Sequence, residues 1–294
     1  MGHGSREQLK CLQSPPAHQS YQFRSWGDFE ARLMSPPRAS SEKDYHLNFE
    51  VGGYAEWKPG QFVQLFWGDH SIGRPFSIFE WKPQKQGSAL HLLVRDGGLG
   101  THELVRSQGE IKKFWIRGPL GNTVPGWNLE NNLEPSLYIS EGPRLAAVFP
   151  FVNLRKKIQP EDFWIHADSK KEFIDSETMS RAFVCPDQLL LGDQIDFKNQ
   201  FDVLFPELLK KNFQRVIVAG SFAFLDVALD VMKKFSEFLF QNTWCRGDEV
   251  IACAQGLCFS CSWQTRMGPK RSCIEGPWFS GEDILHHLNW KRGI

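Results

Sequence analysis

Four cysteines stand close together near the C-terminus, Cys253, Cys258, Cys261 and Cys273, in the pattern C-x4-C-x2-C-x11-C. Thiolates are soft ligands suited to iron and zinc. The first three follow the spacing with which a short loop wraps a 2Fe-2S cluster, a later cysteine closing the cage. Gly256 lies inside that loop, where a residue without a side chain lets backbone N–H groups approach cluster sulfides. A structural zinc site would also take four thiolates. Zinc ribbons, however, use two C-x2-C knuckles; only Cys258 and Cys261 form one here, and Cys253 and Cys258 are too widely spaced to be the second. A C-x2-C redox disulfide would leave Cys253 and Cys273 without a role. Spacing therefore points to a 2Fe-2S cluster, with zinc and the disulfide as alternatives.

The run from Glu249 through these cysteines into Cys273-Ile-Glu-Gly-Pro-Trp-Phe279 resembles the iron–sulfur end of the electron-transfer subunit of B-type dihydroorotate dehydrogenase. In that family the last ligand is followed by an acidic residue, Gly-Pro and an aromatic, matched here by Glu275, Gly276, Pro277 and Phe279. Two positions depart from the pattern: Ile251 replaces the usual Met and Ala254 the usual Gly. Neither is a ligand.

The elements that would carry electrons to such a cluster lie upstream. From Ala31 the chain reads as short strands, including His46 to Val51 and Gln61 to Trp67, separated by turn signals such as Gly52-Gly53 and Pro59-Gly60, which suggests a small antiparallel barrel. Trp57-Lys-Pro-Gly-Gln-Phe-Val63 followed by Gly73-Arg-Pro-Phe-Ser-Ile78 resembles the flavin domain of the ferredoxin-reductase superfamily. The resemblance implies that Arg74, Pro75, Phe76 and Ser77 run along FAD, with Arg74 on a phosphate and Ser77 at the isoalloxazine edge. A guanidinium suits phosphate because it forks onto two oxygens. The strand His91-Leu-Leu-Val-Arg95 then leads through glycines to Gly100-Thr101, where a helix N-terminus can offer backbone N–H groups to a pyrophosphate. Carried over from the family, Leu93, Val94, Arg95, Gly100 and Thr101 are the further flavin contacts. Gly118-Pro-Leu-Gly-Asn122 matches the family's turn at the end of the barrel.

From Pro135 strands and helices alternate: LYIS at 137–140, FWIHA at 163–167 and RVIVAG at 215–220, with helix candidates at Arg144–Lys157 and Phe224–Phe240. Such alternation predicts a parallel α/β sheet. The family receives NAD in this domain, on a glycine-rich turn after the first strand. Here that turn is Ser140-Glu-Gly-Pro-Arg144, with only Gly142 retained, and the later Cys-Gly-Pro is replaced by Ala219-Gly220-Ser221. Glu141 would set a carboxylate near the nucleotide phosphates, so these departures weigh against NAD.

The expected architecture is a multidomain β plus α/β protein. A flexible tail (1–28) precedes an FAD-binding antiparallel β-barrel (29–130), a parallel α/β nucleotide-binding-like domain (131–240) and a small C-terminal 2Fe-2S domain (241–294). Equal numbers of acidic and basic side chains, 34 of each, remove any global electrostatic case for nucleic acid or an anionic membrane. Basic runs such as Arg155-Lys156-Lys157 and Lys210-Lys211 read as solvated faces. No run approaches the length of a membrane span, no secretory leader is evident, and the odd number of cysteines suits a reducing cytoplasm. Cys11, Cys185 and Cys245 are read as ordinary thiols. The resemblance implies electron transfer between a nicotinamide nucleotide or another donor, FAD and the 2Fe-2S cluster, within a hetero-oligomer, to or from a catalytic flavoprotein such as dihydroorotate dehydrogenase in pyrimidine biosynthesis. A reductase component of a hydrogenase or oxygenase system, and a zinc-stabilised interaction module without flavin, are the alternatives.

Overall fold

The structure, a computed structural model, describes residues 27–107, 110–111, 113–128, 134–155, 158–168, 187–192, 194–247 and 250–293. The expected tail lies outside the described residues as far as residue 26, as do Cys11 and Cys185. Alternating apolar residues build the first unit from β1 (Gly27–Leu33), β2 (Arg38–Ala39), β3 (Asp44–Val51), β4 (Phe62–Trp67), β5 (Arg74–Ser77), β6 (Glu80–Pro83), β7 (Ser88–Arg95) and β8 (Phe114–Leu120), with α1 (Leu99–Arg106) between β7 and β8. All pairings are antiparallel, in the order β5-β4-β8-β1-β3-β7-β6, with β2 on β3. The sheet curls until β5 lies beside β7. Its inward residues, Leu47, Phe49, Val63, Leu65, Leu92, Val94 and Ile116 among them, form one buried cluster, as alternation across a pleated strand requires.

The second unit comprises β9 (Ser136–Glu141), α2 (Leu145–Arg155), β10 (Phe163–Asp168), β11 (Gln188–Leu191), α3 (Gln194–Leu208), β12 (Arg215–Ala219), α4 (Phe222–Phe235), α5 (Glu237–Gln241) and β13 (Thr243–Arg246). Further on come β14 (Ser262–Thr265), β15 (Gly268–Arg271), β16 (Phe279–Ser280) and α6 (Gly281–Arg292). One sheet runs β11-β10-β9-β12-β13-β16, parallel except for β16. The expected parallel sheet is thus present. Residues 241–294 contribute β13 and β16 to it, with α6 packed against them, so the cysteine segment is a long excursion between two strands of that sheet, carrying the β14–β15 hairpin.

Two local expectations change. The helix expected over Phe224–Phe240 is two helices: Ser236 has extended backbone (φ −156°, ψ 103°), and its hydroxyl accepts from the Leu239 N–H to cap the second. Serine competes well for that position because its oxygen supplies a partner that the first turn lacks. Arg155 is not on a solvated face. It is buried, donating to Asp162 at 2.9 and 3.2 Å and to the Glu134 carbonyl at 2.7 Å. Asp162 also accepts the Ser136 N–H at 2.8 Å, so the ion pair fixes the start of β9 against that of β10.

Candidate functional site

The sequence-predicted residues fall into three neighbouring places. The first is a cleft of about 300 Å³ where the barrel, the α/β unit and the cysteine segment meet. Pro75, Phe76, Ser77, Leu93 and Arg95 line its barrel side, Pro143, Arg144, Ala147 and Arg246 its α/β side, and Ile251, Ser272 and Pro277 its third side. β5 and β7 supply the barrel wall because the curled sheet brings these strands together. Val94 lies between two of the lining residues, and strand alternation turns its side chain into the barrel core, where it is fully buried.

Arg95 is held by a residue that no local signal marked. Asp44, nearly fully buried, takes Nε and Nη2 of Arg95 at 2.8 Å each, a fork that fixes the guanidinium in one orientation. The same guanidinium lies 3.6 Å from where a Cβ on Gly142 would stand, so it reaches the turn after β9.

The second place is the start of α1. The Arg74 guanidinium and the Trp67 ring each lie 3.5 Å from a Cβ built on Gly100. Gly98 is the N-cap and has no side chain to offer. Thr101 therefore acts from inside the helix: its hydroxyl oxygen accepts the Gly97 and Gly98 N–H groups at 3.1 Å, which locks the glycine loop. A cation and an uncapped helix N-terminus side by side form a cradle for a phosphate group.

The third place is the cysteine loop. Cys253, Cys258, Cys261 and Cys273 are all free thiols. They are gathered as two pairs. Cys261 and Cys273 are buried with Sγ atoms 3.5 Å apart, and Cys258 bonds to the Ser260 hydroxyl at 3.1 Å, with Cys253 close enough to act on its thiol. Ser260, followed by Cys253, pulls the Cys258 thiol down to about 6, and its bond with Cys273 lowers Cys261 to about 7 while Cys273 rises. One thiol of each pair, Cys258 and Cys261, is thus readied to meet a metal as thiolate. Two thiolates for each of two irons is the arrangement the pairs fit.

The loop is shaped by left-handed backbone at Ala254, Gly256 and Phe259, with φ of 54°, 78° and 56°. Gly256 has no room for a Cβ, which would stand 2.7 Å from Ile274. Arg271 braces the loop by bonding the Gly256 carbonyl at 2.8 Å and Glu275 at 2.6 and 3.2 Å. The barrel motifs turn out to dock this segment. Asn122 donates to the Ile274 and Glu275 carbonyls at 3.0 and 3.2 Å, and the Trp278 indole donates to the Gly60 carbonyl at 3.1 Å. Gly60 must be glycine, with φ +84° and Trp278 where its Cβ would be.

The turn after β9 carries two polar side chains in different settings. Ser140 does not crowd it, because its hydroxyl is buried between the Trp164 indole and His166 Nδ1, each at 2.9 Å. Glu141 does face the turn, and it is engaged: Oε2 takes the Ser221 backbone N–H at 2.6 Å and Oε1 the Ser221 hydroxyl at 3.1 Å.

Comparison with known proteins agrees with this geometry. Residues 248–285 match the iron–sulfur cluster binding domain of dihydroorotate dehydrogenase B. The chain is similar to the dihydroorotate dehydrogenase B (NAD(+)) electron transfer subunit of Clostridium acetobutylicum, 26% identical over 247 residues that cover 83% of this chain and 92% of that one. The corresponding subunit of Clostridium perfringens is 23% identical over 78% of this chain and 88% of its own length. Among solved structures, the NADH-dependent reduced ferredoxin-NADP oxidoreductase aligns with a TM-score of 0.68 at 20% identity, over 89% of this chain and 94% of that one. Ferredoxin-NADP+ reductase from Plasmodium falciparum aligns with a TM-score of 0.57 at 11% identity, over 75% and 96%. The fold is that of the ferredoxin reductases, and among the described residues no helix is long and apolar enough to cross a membrane.

Proposed function

We propose that the chain is an electron-transfer subunit that holds FAD against its barrel and a 2Fe-2S cluster in its cysteine loop. It exchanges electrons with a catalytic flavoprotein of the dihydroorotate dehydrogenase kind, in pyrimidine biosynthesis. The observation that carries this is the shared cleft: Ser77, Leu93 and Arg95 face it from the barrel, and Ile251, Ser272 and Pro277 from the cysteine segment. A flavin handles electrons in pairs or singly, which suits it to stand beside a one-electron cluster.

In this proposal Arg74, Gly100 and Thr101 hold the FAD phosphates, and Pro75, Phe76, Ser77, Leu93 and Arg95 form the strand faces along the ring system, with Val94 taking part through its backbone alone. Asp44 keeps Arg95 aimed. Cys253 and Cys258 hold one iron, and Cys261 and Cys273 the other. Cys258 is the exposed ligand, with Val250, Leu257 and Phe259 exposed around it, and an apolar rim about an electron exit suits a hetero-oligomeric partner. A cytoplasmic setting fits unpaired thiols. Residues 29–130, 131–240 and 241–294 serve as the flavin, nucleotide-like and cluster regions.

The test is anaerobic purification followed by assay of flavin, iron and acid-labile sulfide. Bound FAD and equal amounts of iron and sulfide are expected, with Cys273→Ser losing most of the sulfide. A colourless chain carrying zinc would overturn the proposal. Co-expression with a dihydroorotate dehydrogenase chain should yield a complex that elutes together.

A further inference from the structure

A parallel α/β sheet takes nucleotides at the crevice where its strand order reverses. Here the chain runs from β9 outward to β10 and β11, then returns to place β12 on the other side of β9. The crevice therefore opens between the turns after β9 and β12. Glu141 and Ser221 stand at these two turns, 80 residues apart in sequence, and the bonds between them bridge the crevice.

Ser221 is the N-cap of α4, and its hydroxyl accepts from the Phe224 N–H at 3.2 Å. The Glu141 carboxylate thus sits where the positive end of a long helix would attract an anion. It also takes a bond from Arg144 Nη1 at 3.3 Å; of the other guanidiniums lining the cleft, Arg95 is forked onto Asp44 and Arg246 donates to the Gly60 carbonyl at 3.3 Å. A dinucleotide entering the crevice would meet, where it must set its phosphates, a carboxylate already held by Ser221 and paired with Arg144. To enter, it would have to break the two Ser221 bonds and the Arg144 bond.

We infer that Glu141 is a built-in anion that excludes nicotinamide dinucleotides from this crevice, so the chain exchanges electrons with a donor other than NADH or NADPH. The residues present do not fit the nucleotide that the fold family receives there. This inference rests on the electron-transfer proposal, but its test does not depend on flavin or cluster being bound.

The test is calorimetric titration of the full chain with NADH and with NADPH, alongside its visible spectrum, which reports the flavin separately. Wild-type protein should give no saturable binding in the micromolar range. Glu141→Gly should gain affinity by about 10- to 150-fold, the worth of one hydrogen bond from the freed Ser221 N–H to a charged phosphate. Glu141→Gln, which keeps an acceptor oxygen for Ser221 and loses the charge, should gain less and serves if the glycine variant fails to fold. Micromolar binding to wild type would overturn the inference. Folded variants that bind no better than wild type would overturn the role given to Glu141. A chain that lacks flavin yet shows the expected titrations would count against the proposed function alone.

Discussion

The side-chain amide of Gln64, on β4 of the barrel, donates to the backbone carbonyl of Ala252 at 2.6 Å, which ties the barrel to the residue before the first cysteine of the loop. Gln64 is buried, and opposite it across the sheet is Pro75, in the wall of the cleft. One side chain therefore links the flavin-facing strands to the cysteine loop. Losing it should leave flavin content unchanged while loosening the loop by about 1–3 kcal/mol, the cost of stranding a buried polar group. Gln64→Leu should accordingly lose iron to a chelator faster than wild type. Equal rates of bleaching would mean that the bond does not restrain the loop.

Ala254 adds a second handle on the loop. Its φ of 54° is left-handed, a conformation that costs a residue with a Cβ roughly 1 kcal/mol and costs glycine almost nothing. Glycine is what this backbone conformation itself prefers. Ala254→Gly should therefore slow iron loss and raise the thermal midpoint of the loaded protein. Faster loss in the glycine variant would show that the buried Ala254 methyl, packed with Phe62 and Cys261, outweighs the strain.

The parts that were legible in the sequence were local ones. Cysteine spacing, the Arg74–Ser77 strand and the Gly-Thr pair encode their shapes within a few residues, so they could be read without the fold. What stayed hidden depends on distant neighbours. Asp44 orients Arg95 from the adjacent strand, Glu141 meets Ser221 across the sheet, and Asn122 docks residues 274 and 275 from more than 150 positions away. Asn122 was read only as part of a turn because its carbonyl partners carry no side-chain signature. The burial of Arg155 was missed because a cation beside two lysines looks solvated until Asp162 is placed beneath it.

Arg74 bears on the flavin half of the proposal. Its guanidinium stands beside Gly100 at the uncapped start of α1, where it can fork onto a phosphate. Loss of a hydrogen bond to a charged group costs about 1.5–3 kcal/mol, or roughly 10- to 150-fold in affinity. Arg74→Ala should purify depleted of FAD while keeping its iron, because the cysteine loop is braced by Arg271, Asn122 and Gln64 instead. Full FAD occupancy in the variant would remove Arg74 from the phosphate cradle.

Two histidines make stability depend on pH. Burial, reinforced by His46, Arg38 and Lys82, pushes His91 down to about 3, and burial with Lys291 and His286 pushes His287 down to about 4. His91 Nε2 faces His46 Nδ1 at 2.8 Å, and His287 Nδ1 accepts the Gln264 N–H at 3.0 Å, so both rings are held neutral. In the unfolded chain each titrates near its ordinary value of about 6.5. Between that value and the folded one the unfolded state binds more protons, so stability is full above about pH 6.5 and falls as the pH drops. One unit below 6.5 each ring has cost about 1.4 kcal/mol, or roughly 3 kcal/mol for the two. The urea midpoint should therefore be clearly lower at about pH 5.5 than at neutral pH. In His287→Gln, which keeps an acceptor for the Gln264 N–H, about half of that difference should vanish whatever the absolute stability of the variant. An unchanged pH difference would mean that His287 is not held neutral by the fold.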